Sequence, residues 1–153
     1  MGNRDYWLDR FTGVDWEEFL AAGGKTIGFP ESRRAAAEEI KPGDYLVCYH
    51  SGVSRFVGVL EVMSPSFKYS SPISRDEELT CRFKVKPVVM LTPETAVPVL
   101  QLRNRVSIFR DMKSAIAWTG QFRGSPARWN VSDGEAVLEE LVEARNNPTR
   151  RPM

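Results

Sequence analysis

The sequence predicts an α+β fold in which helices flank a small, strongly bent and partly closed sheet. Three observations carry this. Helix-favouring segments lie early and late in the chain, at 14–22, 31–40 and 135–144. Apolar runs rich in β-branched and aromatic residues lie between them. Two of those runs contain a residue that disturbs regular pairing, Gly58 and Pro87, and such residues mark bulges, edges or close backbone approach.

The elements follow in order. Tyr6-Trp7-Leu8 is short and aromatic and reads as the first strand. In 14–22 the apolar residues Val14, Phe19 and Leu20 accompany Asp15, Glu17 and Glu18, and early acids favour a helix N-terminus. Gly23-Gly24 ends that helix. Residues 26–30 read as a loop, because Pro30 biases Phe29 away from helix. Residues 31–40 are Ala-rich and predict a second helix, stopped by Lys41-Pro42-Gly43.

Pro42-Gly43-Asp44 supplies the fixed φ, the permissive residue and the side-chain acceptor of a tight turn. Residues 45–49 and 56–63 then form a hairpin. Residues 64–78 are a polar loop. Residues 79–91 are a strand pair or one long bent strand, and Pro87 places an edge or a bulge within it. Thr92-Pro93-Glu94 and Pro98 mark a crossing loop with little regular structure. Residues 112–118 predict a short helix, 120–126 a loop, and 128–131 a last strand. Ser132-Asp133-Gly134-Glu135 fits a capping box, followed by Val137, Leu138, Leu141 and Val142 at helical spacing. There is no repeat and no internal linker, so residues 1–145 are expected to form one domain and 146–153 a flexible tail.

Composition narrows the function. The chain has 153 residues and a net charge of +1, so any nucleic-acid contact must come from local charge. Fifteen of its 21 basic residues are Arg, whose planar fork suits phosphates and base edges; a GC-rich genome gives the same bias. Cys48 and Cys81 lack ligand spacing and are expected to be buried free thiols of a reducing, cytoplasmic environment. His50 is the only histidine, which excludes His-rich metal centres, and no P-loop, G-x-S-x-G or H-E-x-x-H motif occurs. No apolar run spans a bilayer and no signal peptide is visible. The expectation is a non-enzymatic binding protein without cofactor, metal or membrane.

Aromatic and basic groups are the remaining chemistry. Unstacked bases are held by aromatic faces and by hydrogen bonds to their edges. Phe29, Tyr49, Phe67, Tyr69, Trp118, Phe122 and Trp129 are candidates, while Trp7, Trp16 and Phe56 read as core. Phe29 serves either as a pocket wall or as packing. Between residues 103 and 128, six basic residues face the single acid Asp111, which makes a local basic patch or a solvated surface. Arg33, Arg34 and Arg123 are the candidate phosphate contacts.

The segment Gly43-Asp44, Tyr49-His50-Ser51, Gly58-Val59-Leu60-Glu61-Val62 resembles the EVE domain, a member of the PUA-like superfamily. Residues 56–65 are similar to the matching hairpin of the related YTH domains. Trp118-Thr119-Gly120-Gln121-Phe122-Arg123-Gly124-Ser125 resembles a stretch near the end of EVE domains. The resemblance implies a PUA-like pseudo-barrel. It also implies a pocket for a modified base, such as a modified cytosine in DNA, lined by Phe29, Tyr49, His50, Ser51 and Trp118. DNA or RNA would be the partner, with a nuclease or another effector protein as a further one. Pro72-Ile73-Ser74 stands where many relatives carry a second cage Trp. The competing class is a sensor of the same fold that binds a small molecule or a protein.

Overall fold

The computed structural model describes residues 4–68, 81–102, 105–106 and 125–152. Strands β1 (Tyr6–Phe11), β2 (Thr26–Phe29), β3 (Tyr45–His50), β4 (Arg55–Val62), β5 (Phe67–Lys68), β6 (Cys81–Met90), β7 (Val97–Pro98) and β8 (Ala127–Trp129) join in one mixed sheet. Its main path runs β2-β6-β4-β3-β1-β8, with β5 on β6 and β7 on β4. Helices α1 (Gly13–Ala21), α2 (Arg34–Ala37) and α3 (Val131–Asn146) flank it. The result is an α+β fold built on a curled half-barrel sheet.

Two bulges produce the curl. Cys48 pairs Gly58 and Tyr49 pairs Phe56, so Val57 is the extra residue on β4. A Cβ at Gly58 would lie 2.9 Å from the Val89 carbonyl oxygen, so a side chain there would push β6 away. Val59 pairs Val89 and Leu60 pairs Pro87, leaving Val88 extra on β6. Pro87 has no N–H to give the ladder, and the bulge sits beside it. Below this point β6 turns to pair with β2 and β5.

The sheet separates two cores. On one face Tyr6, Leu8, Val47, Tyr49, Phe56 and Trp129 pack under Val137 and Leu141 of α3. On the other, Trp7, Phe11, Leu46, Cys48 and Leu60 pack with Trp16 and Phe19 of α1, Phe29 of β2 and Ala37 of α2. Alternation along β1 and β3 sends consecutive residues to opposite cores.

Parallel β1 and β3 are held at one end by Asp44. Its fully buried carboxylate accepts from Trp7 Nε1 at 3.0 Å, Asp5 N at 3.1 Å, Lys41 N at 3.1 Å and Lys41 Nζ at 3.0 Å. The turn expected at Pro42-Gly43-Asp44 is present, with Gly43 at φ +93°.

Several elements differ from the sequence expectation. Residues 26–29 form a strand rather than a loop, because Ile27 and Phe29 have a core to enter and β6 offers an unpaired edge. Residues 31–40 form a 3-10 turn (Glu31–Arg33) and the single turn of α2 rather than one helix. Ala37 is the only buried residue of these two turns, so no apolar stripe repays the cost of a longer helix. The crossing loop contains β7 and a 3-10 turn (Val99–Leu102). Helix α3 begins before the expected capping box: Asn130 is the N-cap and accepts from Asp133 N at 2.8 Å. The segment after α3 runs back over the body, where Arg151 N donates to Glu94 O at 2.9 Å and Arg151 Nη2 to Gln101 Oε1 at 2.8 Å. The helix expected at 112–118 lies outside the described residues. Cys48 and Cys81 are buried free thiols.

Two stability predictions follow from this packing. Asp44→Ala leaves the Trp7 indole and two backbone N–H groups without their acceptor and should cost roughly 3–5 kcal/mol, read from the urea midpoint. Gly134→Ala would set a Cβ 2.3 Å from Tyr6 Cγ, beneath the start of α3. It should cost about 1–3 kcal/mol, seen as a lowered Tm in calorimetry.

Candidate functional site

The residues expected to form a pocket do not all share a face. Tyr49 points into the core under α3, is 4% exposed, and packs edge-on against Phe56 at 5.3 Å. Phe29, in the opposite core, is also 4% exposed and meets Phe83 edge-on at 6.2 Å. The sheet lies between the two rings, so they do not line one cavity.

His50 ends β3 inside a glycine-walled turn. Its Nδ1 accepts from Gly52 N at 3.1 Å, which places the ring hydrogen of the neutral form on Nε2. A Cβ on Gly52 would come within 2.8 Å of His50 Cε1, and one on Gly13 within 3.4 Å. The ring therefore ties the β3–β4 turn to the start of α1 and keeps only Nε2 for other partners. Ser51 N donates to Phe11 O at 2.8 Å, fixing the next residue of the turn.

Arg33 and Arg34 have different tasks. Arg33 Nε donates to Ser125 O at 3.0 Å and Nη2 to Pro126 O at 3.4 Å, binding the loop after β2 to the approach to β8. Arg34 is clamped by Glu31 and Glu38, which hold its guanidinium firmly charged. Trp118 and Arg123 lie outside the described residues, as do Tyr69, Phe122, Arg103, Arg110 and Lys113.

The polar group that sequence reasoning missed is Asp9. It sits on β1 between Trp7 and Phe11, facing the same core, with Cys48 as its β3 partner. It is 5% exposed. Ser125 Oγ donates to Asp9 Oδ1 at 3.2 Å while accepting from Arg10 N at 2.9 Å. Among the described residues no cation pairs with it. Burial pushes the Asp9 carboxyl up to about 7; the Ser125 hydrogen bond opposes this and Asp15 adds to it. Burial also raises the Cys48 thiol, and Asp9 adds to that. Asp9, Ser125 and Arg33 thus form one seam that joins β1, the loop after β2 and the entry to β8. The available sequence signal was a lone acid at an inward position of an aromatic strand. Among the described residues no cluster of His, Cys, Asp or Glu could hold a metal, and no helix is long and apolar enough to cross a membrane.

This architecture defines a class, the PUA-like half-barrels. The EVE domain model matches residues 5–129, and the chain belongs to that family. Solved structures share the fold. A hypothetical protein from Leishmania major is 19% identical with a TM-score of 0.65, covering 94% of this chain and 98% of that one. The YTH domain of a Zygosaccharomyces rouxii protein, solved in complex with N6-methyladenosine RNA, is 14% identical at TM-score 0.64, covering 91% and 87%. A second YTH domain, in complex with m6A, is 14% identical at TM-score 0.69, covering 98% and 90%. No curated protein matches the chain.

Asp9 makes stability depend on pH. Unfolded, the carboxyl ionises near its ordinary 3.8; folded, near 7. Between those values the unfolded chain gives up a proton that the folded chain keeps. Stability therefore falls as pH rises from about 4 to about 7 and is level above that, by on the order of 4 kcal/mol in total. Asp9→Asn should remove this slope, matching the parent near pH 4 and exceeding it by a few kcal/mol near pH 8, in urea titrations across that range.

Proposed function

We propose that this EVE domain binds nucleic acid and accommodates one modified base, such as a modified cytosine in DNA. The observation that carries the reading is the family match over residues 5–129, together with a half-barrel shared with YTH domains solved in complex with N6-methyladenosine RNA and with m6A. The site lies on the β1–β2 side of the sheet, beside the Asp9–Ser125–Arg33 seam. Trp118 supplies the stacking face. Phe29, closed off behind by Phe83, is the packed backing of the pocket rather than a free wall. His50 Nε2 and the Ser51 hydroxyl are the edge contacts of the turn. Tyr49 is left out, because it belongs to the other core.

Phosphates are met by Arg123, and by Arg34 where a phosphate displaces Glu31 or Glu38 from its guanidinium at the surface. Arg33 acts indirectly, by fixing the 125–126 backbone. Binding in place of catalysis is proposed, and an effector such as a nuclease would supply any cleavage.

Fluorescence anisotropy with short single strands tests this. The set is an RNA with one N6-methyladenosine, a DNA with one 5-methylcytosine, and their unmodified twins. One modified strand should bind at least tenfold tighter than its twin, and binding should weaken as salt rises. Trp118→Ala should lose affinity by roughly 1–3 kcal/mol. Arg123→Ala should weaken modified and unmodified strands alike. Equal affinity for every strand, or none at low salt, would favour the small-molecule or protein sensor instead.

A further inference from the structure

The segment after α3 carries no helix or strand, yet it is held to the body by a specific set of hydrogen bonds. Asn147 caps α3, and Pro148 cannot continue the helix. Three residues further on, the chain lies across the crossing loop between β6 and β7 and the 3-10 turn that follows. Arg151 N donates to Glu94 O at 2.9 Å. The Arg151 guanidinium forks, with Nη1 to Ala96 O at 3.1 Å and Nη2 to Gln101 Oε1 at 2.8 Å. Nη1 also reaches Thr149 O of its own segment at 3.5 Å. The Pro152 carbonyl accepts from Arg55 Nη2 at 2.5 Å. Arg55, buried at the start of β4, is steadied from the other side by Nη1 to Pro93 O at 2.8 Å.

These contacts read two residues. The first must offer an N–H, which excludes proline. It must also reach two separate oxygens, which a planar guanidinium does and a point-like ammonium does poorly. The second is read only through its carbonyl. No N–H is needed there, so proline loses no hydrogen bond; its ring also fixes its own φ and keeps the preceding arginine extended. Pro148, Thr149, Arg150 and Pro152 are exposed, so the hold is polar and in competition with water.

We propose that this groove is a docking site for an extended arginine–proline segment of another protein chain, and that residues 147–152 occupy it in cis as the competitor. The seated segment shows the ligand chemistry: every bond from the body goes to Arg151 or Pro152, and none depends on the helix that precedes them. The short tether keeps the cis segment at a local concentration on the order of millimolar, which closes the groove to weak competitors. A partner enters by displacing it. Docking here does not depend on base binding.

The test is fluorescence anisotropy with a labelled peptide, Asn-Pro-Thr-Arg-Arg-Pro, on full-length variants with Tm recorded for each. Arg151→Ala removes the cis guanidinium and should bind the peptide at least tenfold tighter than the parent. Arg151→Lys keeps the charge without the fork and should fall between the two. Adding Gln101→Leu, at an exposed position, to Arg151→Ala should weaken binding about fivefold, the loss of one hydrogen bond. A peptide with lysine as its second basic residue should lose at least as much. All variants should melt within a few degrees of the parent, and light scattering should show the parent as a monomer. No binding by either Arg151 variant at millimolar peptide overturns the proposal. So does equal binding by parent and Arg151→Ala, or indifference to Gln101→Leu and to the lysine peptide. A parent dimer that Arg151→Ala dissolves places a second copy's segment in the groove and overturns the assignment to a different chain.

Discussion

The four hydrogen bonds received by the Asp44 carboxylate are the constraint on which the fold rests. Parallel strands cannot be joined by a tight turn, so β1 and β3 are connected through α1, β2 and α2. That connection has to be brought back in register. Asp44 ends it and grips the start of β1 by the Asp5 N–H and the Trp7 indole, while Lys41 N and Nζ close the turn behind it. With Tyr6 then opposite Tyr45, every later pair follows, including Asp9 opposite Cys48. A slip of one residue would send Asp9 into the core under α3 and Leu8 towards the seam.

The two cores carry different loads. In the one under α3, the start of the helix approaches so closely that Gly134 has no room for a side chain over Tyr6. The other holds the polar seam of Asp9, Ser125 and Arg33. Asp9, with the Ser125 hydrogen bond but no cation among the described residues, costs stability at a buried β1 position between Trp7 and Phe11. Stability drawn from the apolar packing of both cores and from Asp44 offsets that burden.

What could be read from the sequence divides along the range of the interactions. The β3–β4 hairpin was legible because a Pro-Gly-Asp turn, an apolar alternation and Gly58 are local signals, and the pairing partner is the next strand. The fate of Phe29 was not, because Pro30 speaks for a loop and the β6 edge that makes it a strand lies more than fifty residues away. Residues 31–40 misled through Ala propensity, which decides little when only Ala37 of the two turns is buried. At the site, the paired positions of Tyr49 and His50 were visible in sequence, yet the face each one takes depended on register. Asp9 carries no motif. Its burial arises only when β3 and β8 flank β1 and Ser125 arrives from the far end of the chain.

The basic residues bear on which part of a nucleic acid such a protein can grip. Lys41 is bound to Asp5 and Asp44, Arg105 to Glu139 and Glu140, Arg128 to Asp5 and Glu39, and Lys86 to Glu61. Arg55 and Arg151 hold backbone carbonyls, and Arg4 lies over the Tyr45 ring. Each of these cations is already committed, and a phosphate would have to displace a partner to reach it. Net charge near zero reinforces the point. Arg10, Lys25, Lys84, Arg145 and Arg150 are exposed and make no ion pair among the described residues, so they are the described cations that a phosphate, the sequence-blind part of a nucleic acid, would meet without displacing a partner. On the proposed reading, discrimination between a modified base and its unmodified twin comes from contacts at the base itself, because phosphate contacts carry no sequence information.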